Sequence, residues 1–190
     1  MAGPPSVSAD PRGGQVIPAL RPALITTPRL VLEPLGVQHA AEMADVLAGT
    51  ALYRYIGGAA PTAEELARRY AAQTVGGSPD RREIWLNWII RDNGAACGFV
   101  QATVSQETDG PTSYVAWVVG EPFQGRGTAT AAARAMLGWL RIHAPGPVAA
   151  FIHPENRASA AVARKLGLAA SGLIDEDGEE RWDDGAMRTH

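Results

Sequence analysis

Val118-Val119-Gly120-Glu121-Pro122-Phe123-Gln124-Gly125-Arg126-Gly127-Thr128-Ala129 is the stretch on which the reading of this chain turns. It runs from an apolar, valine-rich segment into one with apolar residues at helical spacing, so it joins a buried strand to a long helix. Gly125 and Gly127, at alternate positions, let the backbone turn sharply and come close to a ligand with no Cβ in the way. The first turn of the following helix offers unpaired N–H groups and the positive end of the helix dipole, the latter worth about 0.3–1 kcal/mol per bound charge. No carboxylate lies between Gln124 and Ala129 to fill that role, and Arg126 adds a positive charge, so the loop invites a phosphate group. A P-loop is excluded because Gly127-Thr128 lacks the lysine. A dinucleotide-binding turn fits poorly: Thr130 stands at the third glycine, and no carboxylate follows about 20 residues on to hold a ribose. A glycine-tight helix start with no ligand is the remaining alternative.

Working outward, Ser113–Val119 reads as the strand before the loop, and about Arg126–His143 as the helix after it. Ala129, Ala132, Ala133, Met136, Leu137 and Leu140 keep to one face, and Pro145 and Pro147 lie beyond its end. Val148–Ile152 is a short buried strand. Asn156–Leu166 is a helix closed by Gly167, and Ala169–Ile174 with Glu180–Trp182 form a last hairpin. Upstream, Ile84–Arg91 and Cys97–Val104 flank Asp92-Asn93-Gly94, a strong hairpin signal. Earlier still come a strand at Arg29–Pro34, a helix at about Val37–Ala48, and a loop at Tyr53–Gly58. Thr62 and Glu65 then form a capping box opening a helix to about Val75. This order predicts an α+β domain of three layers with one mixed sheet.

The chain has 190 residues, room for one domain, and a formal net charge of −3, which gives no strong nucleic-acid signal. No apolar run is long enough for a membrane span, and no signal-peptide pattern opens the chain. Cys97 is the only cysteine, so no internal disulfide forms, which fits a cytoplasmic protein. Residues 1–23 are rich in Pro, Gly and Ala and read as a flexible leader, leaving 24–190 as the domain. The four histidines, His39, His143, His153 and His190, show no metal-ligand spacing, so no metal site is expected. A homodimer is the default assembly, dimers being commonest among soluble oligomers.

Gln124-Gly125-Arg126-Gly127-Thr128-Ala129 resembles the pyrophosphate loop of the GNAT acetyltransferases, Gln/Arg-x-x-Gly-x-Gly/Ala. Two further stretches are similar to the RimJ/RimL-like branch of that family: Thr27-Pro28-Arg29-Leu30-Val31-Leu32, and Pro154-Glu155-Asn156 with Ser159 leading to Ala163-Arg164-Lys165-Leu166-Gly167-Leu168. The likeness spans about Thr26–Gly172. It implies a mostly antiparallel sheet, splayed between Ser113–Val119 and Val148–Ile152, with acetyl-CoA as co-substrate in the opening. Trp117, Val118 and Val119 would pair with the pantetheine arm through their main chain. Gln124–Ala129 would hold the pyrophosphate, and Asn156 would reach the arm or serve as a plain helix cap.

The resemblance implies transfer of an acetyl group from acetyl-CoA to a primary amine, on a protein N-terminus, a lysine or a small molecule. Many family members carry a glutamate where this chain has Ser113-Tyr114, and a tyrosine acid where it has Ala163. Ser159 is the best remaining contact for the departing thiolate, and Tyr114 is a candidate proton relay or a wall of the site. The Val119 N–H is a candidate donor to the carbonyl oxygen, and positioning alone supplies much of the rate in such reactions. Glu107, Asp109, Glu121 and Glu155 read as solvated loop charges. Tyr53-Arg54-Tyr55, Trp85, Trp88 and Trp182 are candidates for an acceptor cleft or for core. The run Asp175, Glu176, Asp177, Glu179, Glu180, Asp183 and Asp184 would favour a cationic amine if it borders that cleft. The missing acid–base pair leaves a second class open, an acyl-CoA-binding sensor without turnover.

Overall fold

A computed structural model describes residues 20–108 and 110–185. In chain order the elements are β1 (Ile25–Thr26), β2 (Leu30–Pro34), α1 (Ala40–Val46), α2 (Tyr53–Ile56), α3 (Ala63–Gln73), β3 (Glu83–Asp92), β4 (Ala95–Glu107) and β5 (Gly110–Val119). Then follow α4 (Thr128–His143), β6 (Val148–Ile152), α5 (Arg157–Leu166), β7 (Ala169–Ile174) and β8 (Glu180–Asp183).

The eight strands form one sheet in the order β1-β2-β3-β4-β5-β6-β8-β7. Every pairing is antiparallel except β5–β6, as expected for a mixed, mostly antiparallel sheet. The β3–β4 hairpin turns on Asn93 and Gly94, both at positive φ (51° and 85°), the geometry that matches strand twist in a two-residue turn. β3 reads as a nearly unbroken apolar run because the sheet is covered on both sides. Leu86, Trp88 and Ile90 pack into the main core with α4 and α5, while Ile89 faces the smaller core under α1 and α3. On the α4 side Met136 and Leu140 are buried, and Trp139 meets Trp88 edge-on at 5.4 Å. On the other side Met43, Leu66 and Tyr70 interlock.

The capping box at Thr62 is present in both halves: Thr62 N–H donates to Glu65 at 2.8 Å, and Glu65 N–H to the Thr62 hydroxyl at 3.2 Å. Tyr53–Ile56, expected as loop, is a single helical turn stopped by Gly57 at φ 69°. The long helix begins at Thr128 rather than Arg126, because Gly127 takes a left-handed conformation that a helix cannot contain. The described end of the segment read as a leader, residues 20–23, is tied to the domain. Leu20 packs on the main core, the Arg21 guanidinium donates to the Val75 carbonyl at 2.7 Å, and the Trp88 indole donates to the Ala23 carbonyl at 2.8 Å. The rest of that leader, residues 1–19, lies outside the described residues, as do Asp109 and His190.

Cys97 is buried, with its thiol toward the Ile90 carbonyl at 3.4 Å, and burial pushes its pKa up to about 11. No helix among the described residues is long and apolar enough to cross a membrane.

An ion network ties α1 to the sheet. Arg91 donates to Glu33 and, at 2.7 Å, to Glu42. His39 is buried; its Nδ1 accepts from the Gly36 N–H at 3.0 Å, so Nε2 carries the hydrogen that faces Glu33 at 3.3 Å. The Arg91 hydrogen bond, and after it His39, hold the Glu33 carboxyl below its ordinary value of 4.5 against partial burial. A carboxyl with a depressed folded pKa gives stability that is present above its unfolded value and lost as pH falls through the folded one. Denaturant unfolding from pH 6 to pH 3 will therefore show stability falling below about pH 4.5, more steeply in the native chain than in Arg91→Met. At pH 7 Arg91→Met costs about 1.5–3 kcal/mol, the range for a hydrogen bond to a charged group. A variant with the native pH slope would mean that the network does not carry this term.

Candidate active site

β5 and β6 pair at only two positions, Ser113 with Val148 and Tyr114 with Ala149, and then part. The Ser113 N–H donates to the Pro147 carbonyl at 2.9 Å, so Ser113 turns its main chain toward β6. Peptide groups alternate sides along a strand. Trp117 and Val119 therefore direct N–H and C=O into the opening between the strands, and Val118 directs its own to β4, opposite Phe99. Of the three main-chain candidates, two line the opening. The Val119 carbonyl accepts from the Gln124 side-chain amide at 2.9 Å, which folds the loop back over the end of β5.

Past β5 a short 3-10 turn, Glu121–Phe123, leads into the loop. Gly125 and Gly127 both stand at φ 74°, a region where other L residues are strained, while Arg126 between them does not share it. Such alternation gathers successive N–H groups on one side. Among the described residues, no protein group accepts from the N–H of Gly125, Arg126, Gly127, Thr128 or Ala129. These five donors lie at the N-terminus of a 16-residue helix, where the dipole favours an anion. The Arg126 side chain is exposed, Ala129 packs against the main core, and Thr128 is buried.

The opposite wall is the start of α5. Asn156 caps it, its Oδ1 accepting from the Ser159 N–H at 3.1 Å, which leaves Nδ2 uncommitted. The Ser159 hydroxyl is half-buried and has no protein partner among the described residues.

Tyr114 stands at the crotch where the strands separate. Val115 and Val119 belong to the core under α4, so Tyr114, like Val118, faces the α1–α3 side. Its ring stacks on Phe151 at 5.9 Å, its hydroxyl donates to Glu107, and Arg181 lies 5.9 Å from the ring centre. Burial, and then the Glu107 hydrogen bond, push its pKa up to about 12, so the phenol keeps its proton at neutral pH. Glu107, read as a solvated charge, is thus Tyr114's partner. Glu121 is likewise a structural group, accepting from the Ala51 N–H at 3.0 Å. Glu155 remains an exposed charge 4.0 Å from Arg54.

The aromatic candidates divide. Trp88 and Trp182 are core. Trp85 lines a cleft with Arg21, Gln73 and Asn87 beside α3. Tyr55 packs against His153 at 5.4 Å, bringing the α2 turn to the segment that follows β6. The acidic run is partly structural: Asp175 accepts from the N–H groups of Asp177 and Glu179 at 3.0 and 2.8 Å, and Asp184 accepts from Val148 at 3.3 Å. Glu179 is raised by burial and then by Asp175 and Asp177. Among the described residues no three His, Cys, Asp or Glu side chains are grouped to hold a metal ion.

Sequence reading missed one partner of the loop. Arg29, at the head of β2, donates to the Arg126 carbonyl at 2.8 Å and to the Thr128 hydroxyl at 3.0 Å. It lies inside a motif the sequence shows, but its partners are 97 and 99 residues away and no local spacing reveals them.

The acetyltransferase (GNAT) domain family matches residues 29–169. No curated protein matches the chain significantly. Among solved structures, the chain is similar to RimL, the ribosomal L7/L12 alpha-N-protein acetyltransferase, in complex with coenzyme A. The two share 16% identity and a TM-score of 0.71, over 85% of this chain and 95% of that one. It is also similar to an aminoglycoside acetyltransferase in complex with coenzyme A, at 18% identity and a TM-score of 0.68 over 81% and 92%. A putative GNAT-family acetyltransferase from Bordetella pertussis aligns at 21% identity and a TM-score of 0.64 over 85% and 97%. An open sheet parted at β5–β6, a glycine loop with uncommitted N–H groups at the head of α4 and a family match over about three-quarters of the chain converge, and the chain belongs to the GNAT acetyltransferases.

Proposed function

We propose that this chain transfers an acetyl group from acetyl-CoA to a primary amine by direct attack, with the co-substrate seated in the opening between β5 and β6. The observation that carries this reading is the set of five uncommitted loop N–H groups, continuous with the strand edge of Trp117 and Val119. Trp117 is half-buried and Val119 buried, so the strand edge requires partners, and N–H groups gathered at a helix N-terminus favour an anion. A pyrophosphate satisfies the loop, and an extended amide-bearing arm satisfies the strand edge as another strand would. Coenzyme A joins those two chemistries in one molecule.

In the transfer, the amine nitrogen bonds to the thioester carbonyl carbon, the carbon–sulfur bond breaks, and the nitrogen's surplus proton ends on the departing sulfur or in solvent. The Val119 N–H is the candidate donor to the carbonyl oxygen, and Ser159, with its uncommitted hydroxyl, the candidate donor to sulfur. Tyr114 and Glu107, at the crotch and on the opposite face, are placed to orient the incoming amine. A cationic acceptor is the class that Glu107 and the acidic turn favour, whether a protein N-terminus, a lysine or an amine-bearing small molecule. RimL and the aminoglycoside enzyme are relatives named for acceptors of two of those kinds.

Calorimetric titration with coenzyme A and acetyl-CoA will show binding by the native chain, lost in Gly127→Trp, where a large side chain would stand over the loop. No binding by the native chain, or binding untouched by that substitution, would sink the reading.

With an amine panel, Ser159→Ala will lower kcat about tenfold or more while coenzyme A affinity stays near the native value, as for loss of a proton donor used only in the transition state. A chain that binds the co-substrate but consumes no thioester with any amine would instead be an acyl-CoA sensor.

A further inference from the structure

Nothing packs against the two glycines of the anion loop: a Cβ added at Gly125 or Gly127 would meet no atom within 4 Å. A turn with two such glycines has many conformations open to it, and ordering it on binding would cost affinity. Something other than side-chain packing must therefore fix it. Gln124 ties the start of the loop to Val119, and Arg29 is the group in reach of its helix end. Its Nη1 donates to the Arg126 carbonyl at 2.8 Å, and its Nη2 to the Thr128 hydroxyl at 3.0 Å. The guanidinium is in turn aimed by Asp92, whose Oδ2 accepts from Nε at 3.2 Å and from Nη2 at 2.7 Å. Asp92 closes β3 immediately before the hairpin turn and is mostly buried, so the fork is anchored on the β3–β4 hairpin. A planar fork can grip a carboxylate, a carbonyl and a hydroxyl at once; a lysine ammonium is a point charge and cannot reproduce that grip.

We propose that Arg29, oriented by Asp92, is a positioning residue for coenzyme A: it holds the Arg126–Thr128 turn so that its N–H groups converge on the pyrophosphate. The inference rests on the reading of this loop as the pyrophosphate site, and it makes a claim that reading does not. The energetic effect belongs to the pyrophosphate half of the ligand alone, and pantetheine, which lacks that group, is indifferent to Arg29.

The test compares the full-length native chain with Arg29→Met, Arg29→Lys, Asp92→Asn and Thr128→Val. Coenzyme A binding is measured by calorimetry and pantetheine binding by NMR titration, with melting curves alongside. Arg29→Met is expected to weaken coenzyme A about tenfold or more, the scale of one charge-assisted hydrogen bond, and to leave pantetheine affinity within about twofold. Arg29→Lys is expected to restore little of the loss, and Asp92→Asn and Thr128→Val to show smaller losses of the same selectivity. Adding Asp92→Asn to Arg29→Met should cost nothing more. Should Arg29→Met fail to fold, Thr128→Val decides alone, because it removes one contact of the fork and leaves the Arg29–Asp92 pair in place. Equal loss for both ligands would reduce Arg29 to general stability. Full rescue by lysine would mean that charge suffices without the fork. Either result overturns the proposal, as does unchanged coenzyme A affinity in Thr128→Val or Arg29→Met. If the native chain binds no coenzyme A, the pyrophosphate reading itself has failed; if it binds and the variants bind equally, only the role of Arg29 falls.

Discussion

Two parallel strands that begin to pair and then stop are the constraint on which the rest of this structure depends. Ser113 and Tyr114 find their partners on β6, and a few residues later the peptide groups of Trp117 and Val119 have no strand to pair with. An interrupted ladder inside a sheet is costly unless something satisfies it. The fold answers by arranging the surroundings. Gln124 takes up the Val119 carbonyl, α4 starts where β5 leaves off, and α5 closes the far wall with a capped first turn. The opening is thus a built feature of the domain.

The two faces of the sheet divide the work. Under α4 and α5 the sheet is conventional core, dense in leucine, valine, isoleucine and tryptophan, and Ala129, at the end of the glycine loop, packs against it. The α1–α3 face is held differently, by a smaller apolar cluster and by the Glu33–Arg91–Glu42 network with His39. Beyond that cluster the same face carries Tyr114 with Glu107 and the cleft near Trp85 and Asn87. The α4–α5 side therefore rests on packing, and the α1–α3 side on polar groups with room between them. Relatives of one fold that act on different amines would be expected to differ on this second face.

Much of this was legible in the sequence, and the exceptions have physical reasons. The strand–loop–helix unit around Gly125 and Gly127 is visible because glycine, helix periodicity and the lack of carboxylates are all local signals. The Asn93-Gly94 hairpin and the Thr62 capping box are visible for the same reason. What sequence reading misplaced depends on distant partners. Glu107 looked like a loop charge until β5 brought Tyr114 beside it. Trp182 and Trp88 looked equally suited to a cleft or a core, since an indole serves either, and only the packing against α4 and α5 decides. Leu20–Ala23 looked too poor in large apolar groups to fold. It is ordered by what it donates to and accepts from, namely the carbonyls at the end of α3 and the indole of Trp88. Arg29 was quoted as part of a family-like motif, but its use could not be read from neighbours one to four residues away.

The placement of Cys97 bears on how such a protein coexists with its own product. Coenzyme A released after each turnover is a free thiol, and its disulfides exchange readily with any accessible thiolate nearby. Here the chain's single thiol, Cys97, sits in β4, fully enclosed and with a pKa raised to about 11, so almost none of it is thiolate at neutral pH. A member of a thioester-handling family thus keeps its only sulfhydryl enclosed and protonated, away from mixed-disulfide exchange and from acyl capture by a stray nucleophile.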